Sequence, residues 1–516
     1  METRGEGGSR AMFKKILVAN RGEIAVRVMR ACREMGIPAV GVYSEVDRRA
    51  LHVRKSDEAY CIGPAPARES YLNIPKLLEV AARAGADAIH PGYGFLAENA
   101  AFARACRAAG VKFIGPTAES MEAMGSKTHA RQMMQEAGVP MVPGTAQALG
   151  SPAEAREVAG RLGYPVMLKA AAGGGGKGMR VVAAAAEMES SFTQAQSEAE
   201  RAFGDGTVYL EKFLAKPRHV EVQILADEHG HAIYLGEREC SVQRRHQKVL
   251  EESPSPIVDA QMRRRMGETA VRVAQAAAYT NAGTVEFLVD AERNFYFLEM
   301  NTRLQVEHPV TELVTGLDLV HLQIHIAAGE PLAIEQKDIQ LRGHAMECRI
   351  YAEDPDNHFF PSPGKITRLL YPAGPGVRVD SGSYEGWVVP IDYDPLMAKL
   401  VGYAPTRAQT IARLKRALDE YFVGGIKTNL PLFRELLRYP DFVAGELDTG
   451  LLDRLLAGRR VAAPDQERMR LAAIAAALFA HEEATAAPAS VRTNGAHPPA
   501  QSAWKLAGRR EALREK

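Results

Sequence analysis

Five glycines stand close together in residues 173–179 (GGGGKGM), shortly after an apolar stretch that ends at Lys169. Glycine loses more conformational freedom on folding than any other residue, so such a loop is costly unless its backbone must approach something closely. Successive backbone N–H groups form cradles for anions, and Lys177 adds a positive charge inside the loop. The segment therefore predicts a polyphosphate-binding loop, with a flexible hairpin tip as the alternative.

Two acidic residues, Glu286 and Glu299, lie in neighbouring strand-like segments, residues 284–289 (TVEFLV) and 295–301 (FYFLEMN). If residues 291–294 form the turn, position 290 pairs with 295 and Glu286 pairs with Glu299. Directly opposed like charges destabilise a sheet, and a divalent cation between them would reverse that effect. A one-residue change of register would only stagger the pair, and a solvated strand edge is the alternative.

Asn301 follows Glu299 by two residues and so lies on the same face of the strand. Carboxylate and amide oxygens are hard ligands that suit Mg²⁺ or Mn²⁺, with nucleotide phosphates completing the coordination shell. We therefore predict a metal site formed by Glu286, Glu299 and Asn301.

Two polar segments lie near these residues in the sequence. Arg303 and Glu307 follow the predicted metal ligands, where Arg offers a planar fork to an oxyanion and Glu is a candidate general base. Residues 237–248 (ERECSVQRRHQK) follow a predicted strand and mix Gln, His and Lys with charged residues. A solvated run of charges is the alternative for this second segment.

The elements that would position these residues are those of an α/β protein. Strands and helices alternate up to about residue 125, which predicts a parallel sheet. A compact block with the glycine loop follows, and then strands with period-two alternation. The predicted hairpin of residues 284–301, which carries Glu286 and Glu299, comes next and is called the carboxylate hairpin below. After Pro361 to Gly364, an α+β block extends to about residue 460. Residues 461–516 are rich in Ala and Pro, which predicts a helix, a linker and a short terminal segment.

Together these segments resemble the biotin carboxylase component of biotin-dependent carboxylases, which has an ATP-grasp fold. The resemblance covers roughly residues 12–460. It is carried by residues 19–25 (ANRGEIA), 90–96 (HPGYGFL), 173–179, 237–248, 299–309 (EMNTRLQVEHP), 343–349 (GHAMECR) and 360–364 (FPSPG).

The resemblance implies three domains, and the composition of the residues outside them predicts two flanking segments. They are a disordered lead-in at 1–11, an N-terminal parallel α/β domain at 12–125, an ATP-grasp domain at 126–334 with a mobile lid at about 142–214, a C-terminal domain at 343–460, and an extension at 461–516.

The resemblance also implies roles for individual residues. Lys127 and Lys169 would hold the ATP phosphates, Gly175 and Gly176 would close over them, and Tyr93 would lie near biotin. The remaining nucleotide contacts would be Glu211, Lys212, Phe213, Leu214, His219, Gln243 and His246. The same metal ligands are implied as those predicted from the hairpin.

The implied reaction uses ATP, bicarbonate and two Mg²⁺ or Mn²⁺ ions to carboxylate biotin through carboxyphosphate. Lys248, Arg303 and Val306 would contact bicarbonate, Glu307 would deprotonate it, and Arg349 would stabilise the biotin enolate. The alternatives are the same half-reaction in a two-subunit pyruvate carboxylase, another bicarbonate-activating ATP-grasp ligase, and a non-catalytic nucleotide-binding regulator.

No Met-Lys-Met biotin-attachment sequence is present, and Lys399 in residues 394–399 (DPLMAK) is interpreted as structural. We therefore expect the biotin carrier and the carboxyltransferase to be separate chains. We also expect a homodimer and an acceptor of the acetyl- or propionyl-CoA type. The segment 502–516 carries Trp504 and a net charge of +3, from five Lys or Arg and two Glu, and could dock a partner protein of the holoenzyme; a solvated tail is the alternative.

The composition of the 516 residues is ordinary for a globular protein, with 46% hydrophobic and 25% charged residues. A formal net charge of +1 argues against a nucleic-acid partner or an anionic membrane. Five scattered cysteines without a C-x-x-C pair argue against a structural zinc site and favour a reducing, cytoplasmic location. His321 and His325 have helical spacing that could bind a metal, but an ordinary helix face is the favoured interpretation.

Overall fold

The computed structural model describes residues 12–145, 148–170, 178–459 and 466–485. These residues fall into two compact units that divide between Gly458 and Arg459. Many helices begin at a side-chain cap, such as Asn73, Asn99 and Thr406, whose side-chain oxygen accepts a hydrogen bond from a backbone N–H of the first turn.

The N-terminal part is a five-stranded sheet with the order β3-β2-β1-β4-β5, in which every pairing is parallel. The predicted parallel α/β architecture is confirmed here. Its strands are β1 (Ile16–Val18), β2 (Ala39–Ser44), β3 (Glu58–Gly63), β4 (Ala88–His90) and β5 (Lys112–Phe113). Its helices are α1 (Gly22–Glu34), α2 (Leu51–Lys55), α3 (Ile74–Ala84), α4 (Ala100–Ala108) and α5 (Ala118–Gly125).

A small antiparallel sheet follows, with three strands in the order β7-β6-β8. Its strands are β6 (Val166–Ala170), β7 (Met179–Val182) and β8 (Val208–Lys212), and the helices before and around it are α6 (Lys127–Glu136), α7 (Pro152–Leu162) and α8 (Met188–Phe203). The glycine loop joins β6 to β7, and its residues Gly175, Gly176 and Lys177 lie outside the described part of the chain.

An eight-stranded antiparallel sheet forms the centre of the first unit. Its strands are β9 (Arg218–Ala226), β10 (Ala232–Arg244), β11 (Gln247–Ser253), β12 (Asn281–Val289), β13 (Phe295–Asn301), β14 (His344–Tyr351), β19 (Val377–Ser381) and β21 (Leu396–Ala404). Their order is β13-β12-β9-β10-β11-β14-β21-β19, so one sheet runs from the carboxylate hairpin to the C-terminal block.

Helices cover this sheet, and three two-stranded ladders complete the C-terminal block. The helices are α9 (Ala260–Ala276), α10 (His308–Thr315), α11 (Leu319–Ala327), α12 (Arg407–Glu420), α13 (Leu430–Leu436), α14 (Pro440–Ala444) and α15 (Leu451–Gly458). The ladder strands are β15 (Glu353–Asp354), β16 (Phe360–Pro361), β17 (Gly364–Lys365), β18 (Arg368–Leu370), β20 (Val388–Val389) and β22 (Phe422–Gly424).

The second unit contains the helix α16 (Gln466–Thr485), which confirms the helix predicted in the extension. Five large apolar side chains are exposed along it: Met469, Leu471, Ile474, Leu478 and Phe479. Among the helices described, none is both long and apolar enough to cross a bilayer. The terminal segment 502–516, with Trp504, and the lead-in 1–11 lie outside the described residues.

Candidate active site

The carboxylate hairpin forms as predicted at its metal-ligand end but not at its turn. Glu286 pairs with Glu299, whereas Val289, not Asp290, pairs with Phe295. The predicted 290–295 pairing is therefore wrong. A bulge between these two points leaves Leu298 without a partner, because Glu286 opposes Glu299 while the next residue, Phe287, opposes Phe297.

Three carboxylates and one arginine form a row across four adjacent strands. Glu299 opposes Glu286, Glu286 opposes Glu221, and Glu221 opposes Arg238. Glu286, Glu221 and Arg238 are buried, whereas Glu299 is exposed at the edge strand β13. Like charges in adjacent strands are destabilising, so this row requires cations against it.

Lys248 is one of those cations and comes from the second polar segment. Its Nζ lies 2.5 Å from Glu221 Oε2, 2.8 Å from Glu286 Oε1 and 2.8 Å from Glu307 Oε1. Burial alone would lower the pKa of Lys248, but the Cys240 thiol and these carboxylates raise it well above its usual value. The ammonium therefore stays charged and cannot serve as a base.

Residues 237–248 prove to be the end of β10, a tight turn and the start of β11. Arg238 is fully buried, pairs with Glu221 Oε1 at 2.5 Å, and donates to Gln223, Thr284 and Thr311. The alternative of a solvated charge run is therefore wrong for most of the segment. Only the turn residues Arg245 and His246 and their neighbour Gln247 are exposed within it.

Glu307 lies between two cations, one on each carboxylate oxygen. Lys248 Nζ is 2.8 Å from Oε1, and Arg349 NH2 donates to Oε2 at 2.9 Å. Burial alone would raise the pKa of Glu307, but Lys248, Arg349 and Arg238 hold it well below its usual value. Glu307 is therefore ionised at neutral pH.

Arg349 also pairs with a second carboxylate, at 2.5 Å between its NH2 and Glu251 Oε1. Burial raises the pKa of Glu251 to about 7, against the opposing effect of Arg349. The nearby Glu347 is fully buried, and neither of its oxygens has a hydrogen-bond partner within the described structure. At this end of the site Arg349 therefore serves two buried carboxylates, Glu251 and Glu307.

Arg303 is held by the N-terminal block. Its Nε donates to Glu98 Oε2 at 2.8 Å and its NH1 donates to Gln305 Oε1 at 2.8 Å. Its NH2 reaches Asn301 Oδ1 at 3.3 Å, and Asn301 Nδ2 donates to Glu286 Oε1 at 2.8 Å. Polar contacts therefore link Arg303 to the predicted metal ligands.

A second group of predicted residues lies around Glu211. Lys169 of β6 and Arg131 of α6 both pair with this buried carboxylate. Lys212 turns its ammonium away, to the backbone oxygens of Gly163 at 2.8 Å and Tyr164 at 3.3 Å. Phe213 and Leu214 follow at the end of β8 and are half-buried. Lys127 stands in the first turn of α6, and its side chain lies outside the described part.

The other predicted contacts are more dispersed. His219 Nε2 lies 2.8 Å from Glu286 Oε2; burial alone would lower the pKa of this imidazole, but Glu286 raises it. Gln243 is buried near the end of β10, while His246 is exposed in the turn. The Tyr93 hydroxyl donates to Glu23, and the Val306 backbone oxygen accepts from Lys399 Nζ at 2.8 Å.

Sequence reasoning missed the supporting residues Glu98, Glu221 and Glu251, and it gave no individual role to Arg238 and Glu347, which lie within the segments 237–248 and 343–349. Glu221 stands between Val220 and Val222 in β9, which is an ordinary strand pattern and gives no signal of function. His219, Glu221 and Glu286 offer ligand atoms within 4.8 Å of one another, a grouping that the hairpin argument did not include. His321 is grouped with Glu34 and Asp318, whereas His325 Nδ1 lies 2.9 Å from Glu330 Oε2.

Models of three protein domains match consecutive parts of the chain. They are "Biotin carboxylase, N-terminal domain" at residues 12–121, "Carbamoyl-phosphate synthase L chain, ATP binding domain" at 126–335, and "Biotin carboxylase C-terminal domain" at 347–454. A biotin carboxylase of Halalkalibacterium halodurans is 56% identical over 441 residues, which are 86% of this chain and 97% of that protein.

The chain belongs to the biotin carboxylase family. It is an enzyme that carboxylates biotin with the use of ATP. Among other members, a pyruvate carboxylase subunit of Methanothermobacter thermautotrophicus is 54% identical over 88% of this chain and 94% of its own length. The propionyl-CoA carboxylase alpha chain of Ruegeria pomeroyi is 50% identical over 90% of this chain and 72% of its own length.

Solved biotin carboxylases share the three-domain architecture. A biotin carboxylase–ATP complex from Campylobacter jejuni has a TM-score of 0.82 at 50% identity, over 86% of this chain and 99% of that one. A biotin carboxylase domain dimer of the Hydrogenobacter thermophilus 2-oxoglutarate carboxylase, in complex with MgADP and bicarbonate, has a TM-score of 0.81 at 46% identity, over 87% of this chain and 100% of that one.

Proposed function

We propose that this biotin carboxylase carries out the first half-reaction of an acyl-CoA carboxylase, carboxylating the biotin of a separate carrier chain through carboxyphosphate. The observation that carries the proposal is the position of Glu307, with Lys248 at one carboxylate oxygen and Arg349 at the other, both between 2.8 and 2.9 Å. Two cations that lie against the same ionised carboxylate can also bind an anionic substrate beside it.

The first step joins bicarbonate to phosphate. A bicarbonate oxygen attacks the γ-phosphorus of ATP, the bond to the bridging oxygen breaks, and ADP leaves. Glu307 takes the bicarbonate proton, while Lys248, Arg303 and the Val306 backbone hold the anion. With its depressed pKa, Glu307 is a weak base. Bicarbonate that draws Lys248 and Arg349 to itself would raise that pKa and so strengthen the base.

The second step transfers the carboxyl group. Carboxyphosphate releases carbon dioxide and phosphate, the phosphate takes the proton of the biotin ureido nitrogen, and that nitrogen forms the new bond to carbon. Arg349 stabilises the enolate oxygen that develops on biotin, and Tyr93 lines its pocket. Because carboxyphosphate hydrolyses readily, the glycine-rich lid with Gly175 and Gly176 would serve to exclude water.

Lys127, Lys169 and the segment from Glu211 to Leu214 are proposed to hold ATP, with His219, Gln243 and His246 beside it. In this structure Lys169 pairs with Glu211, so a phosphate would have to compete with that carboxylate. Lys212 would contribute through its backbone alone, since Gly163 and Tyr164 hold its ammonium.

Glu286, Glu299 and Asn301 fit two Mg²⁺ or Mn²⁺ ions. They supply hard oxygen ligands from neighbouring positions of one hairpin, and Glu299 is exposed on the edge strand β13. When bound, the ions would neutralise charge on the transferring phosphoryl group. Lys248 and His219 lie against Glu286 and keep its carboxylate ionised, which is the form that binds a cation.

The acceptor is proposed to be an acyl-CoA of the acetyl or propionyl type. The Ruegeria pomeroyi relative supports this class, whereas the Methanothermobacter thermautotrophicus relative supports the alternative, a two-subunit pyruvate carboxylase. Reconstitution of this chain with a biotinylated carrier and each class of carboxyltransferase would decide between them.

We further propose that the biotin carrier and the transferase are separate chains and that this chain forms a homodimer. Lys399, the one superficial candidate for biotinylation, is fully buried in β21, which supports a carrier on another chain. The dimer named for the Hydrogenobacter thermophilus structure supports the second part, and sedimentation analysis would test it. The five cysteines are free thiols, which supports a cytoplasmic location.

The extension after residue 460 is proposed to tether another protein of the holoenzyme, either the carrier or the transferase. The exposed apolar side chains of α16 support a partner there. A chain that lacks residues 490–516 should co-purify less of that partner. Undiminished co-purification would contradict a role of that terminal segment.

The catalytic proposal is tested by bicarbonate-dependent ATP hydrolysis with and without free biotin. We expect stimulation by biotin, formation of carboxybiotin, and loss of both in an Arg303→Ala variant. Hydrolysis that needs ammonia instead of biotin would indicate another bicarbonate-activating ligase. Nucleotide binding without turnover would indicate a regulator.

A further inference from the structure

Lys399 is the fully buried lysine of β21, and it touches three separate parts of the first unit. Its Nζ donates to the Val306 backbone oxygen at 2.8 Å and lies 3.1 Å from Glu23 Oε1 in the first turn of α1. Its own strand places it opposite Arg349. A charged lysine without solvent contact is costly to bury, so polar contacts must compensate for that cost.

The segment from Thr302 to Glu307 is held at both ends by charged residues from outside it. At its start, Glu98 accepts from the Thr302 backbone N–H and from Arg303 Nε, both at 2.8 Å. At its end, Lys248 and Arg349 hold the Glu307 carboxylate. Lys399 is the contact that holds the backbone just before Glu307, because its ammonium orients the Val306 carbonyl.

The carboxylate that lies against the Lys399 ammonium comes from the N-terminal block, while Asp380 is the cross-strand neighbour of Lys399 in β19. Glu23 is buried, and its carboxylate accepts from the Tyr93 hydroxyl as well as lying against the ammonium. Asn20 holds the backbone of the Tyr93 segment through donation to the Pro91 and Tyr93 carbonyls, both at 2.7 Å. The pair of Lys399 and Glu23 therefore connects the proposed biotin pocket to the proposed bicarbonate segment.

From these contacts we propose that Lys399 is a positioning residue for the bicarbonate half of the site. Its hydrogen bond to the Val306 carbonyl sets the backbone direction of residues 303–307, and so the distance between Arg303 and Glu307 at which bicarbonate binds. This inference rests on the proposed role of that segment. Lys399 itself contacts no substrate, so its loss acts on the binding of bicarbonate and leaves the binding of ATP nearly unchanged.

The test compares Lys399→Met with the wild type by steady-state kinetics of biotin carboxylation, normalised to folded protein. Misplacement of reacting groups by about 1 Å can cost up to a hundredfold in rate. We therefore expect the bicarbonate KM to rise by about tenfold or more and the ATP KM to change by less than about twofold. Lys399→Arg, which keeps a charged donor, should restore part of the bicarbonate KM.

A matched control is Arg407→Met, because Arg407 also neutralises a buried carboxylate of the same sheet. It pairs with Glu252 at 2.7 Å, and Glu252 points to the opposite face of β11 from Glu251. This control should lose stability and keep both KM values. Equal changes in both KM values for Lys399→Met, or a bicarbonate KM that stays at the wild-type value, would overturn the proposal.

If Lys399→Met does not fold, the double variant Glu23→Gln/Lys399→Met avoids leaving an unpaired buried charge. It is compared with Glu23→Gln alone, which retains the contact to Val306. The proposal requires a higher bicarbonate KM in the double variant than in the single one, and equal values would overturn it. A wild-type enzyme without bicarbonate-dependent ATP hydrolysis would instead contradict the proposed function, so the two failures are distinguishable.

Discussion

Glu286 and Glu299 lie directly opposite each other in β12 and β13, and the bulge at Leu298 sets that pairing. Glu286 is buried and faces Lys248 and His219, whereas Glu299 is exposed on the edge strand. One carboxylate is therefore held in place by the protein, and the other is exposed at the edge of the sheet.

Glu286→Gln is expected to weaken binding of the divalent metal. The substitution keeps the size of the side chain and removes the negative charge that a hard cation needs. We expect the Mn²⁺ concentration for half-maximal activity to rise by roughly 10- to 100-fold. Direct Mn²⁺ titration in the presence of ADP checks this without reliance on turnover.

The matched control for that prediction is Glu292→Gln, an exposed acidic residue in the turn of the same hairpin. It should leave Mn²⁺ binding unchanged. Unchanged Mn²⁺ binding by Glu286→Gln would contradict the metal assignment.

Lys248→Met is expected to destabilise the protein as well as abolish activity. It removes the ammonium shared by Glu221, Glu286 and Glu307, and leaves buried carboxylates without compensation. Breaking a buried ion pair from one side costs about 3–5 kcal/mol. Denaturant-induced unfolding at neutral pH measures the loss.

Lys76→Met serves as the comparison, since Lys76 pairs with Glu79 on the surface of α3. It should change the free energy of unfolding by less than about 1 kcal/mol. If the two variants lose the same stability, the three-carboxylate cluster does not depend on Lys248.

Glu251 is expected to make the free energy of unfolding depend on pH between about 4.5, the ordinary pKa of a glutamate, and about 7. Burial raises its pKa from 4.5 to about 7 in the folded protein, against the effect of Arg349. The folded state then binds more protons than the unfolded state in that window, so stability falls as pH rises through it. The advantage of the wild type over Glu251→Gln should shrink by about 2 kcal/mol between pH 5 and pH 8.

The neighbouring Glu252 provides a control of opposite sign. Burial alone would raise its pKa, but His344 and Arg407 hold it below 4.5. Its contribution to stability is therefore present above the unfolded value of about 4.5 and is lost as the pH falls through the folded pKa. The advantage of the wild type over Glu252→Gln should shrink toward acid pH. The same pH trend in both variants would refute the assignment for Glu251.

His246→Gly is expected to stabilise the hairpin of β10 and β11 while it weakens nucleotide binding. Arg244 pairs with Gln247 across a two-residue turn, and both turn residues have positive φ, 51° at Arg245 and 65° at His246. Glycine adopts that conformation without strain. We expect a gain of about 0.5–1 kcal/mol in unfolding free energy and a higher ATP KM.

His246→Ala separates the two effects because it removes the imidazole and keeps a Cβ. It should raise the ATP KM as much as His246→Gly without the gain in stability. A glycine variant no more stable than the alanine variant would show that the turn is unstrained.

Much of the local structure could be predicted from the sequence. The strands and helices that alternate up to about residue 125 were predicted, and they form the five-stranded parallel sheet and its helices, because apolar periodicity and capping residues act over a few positions. The pairing of Glu286 with Glu299 was predicted correctly, although the assumed turn register was wrong. The turn is one residue longer on the β12 side than predicted, and the bulge at Leu298 compensates for that extra residue. No local sequence pattern predicts a bulge in an apolar strand.

By itself, the sequence determined the family, the three consecutive domains and the residue types of the site, since these reside in local motifs and their order. Only the tertiary structure decided which charges meet. Glu221 contacts Lys248, and Lys399 contacts the Val306 backbone. Both contacts are made by a sheet whose strands come from distant parts of the chain. Their contacts depend on long-range register and on how the blocks pack, which spacing along the chain does not encode.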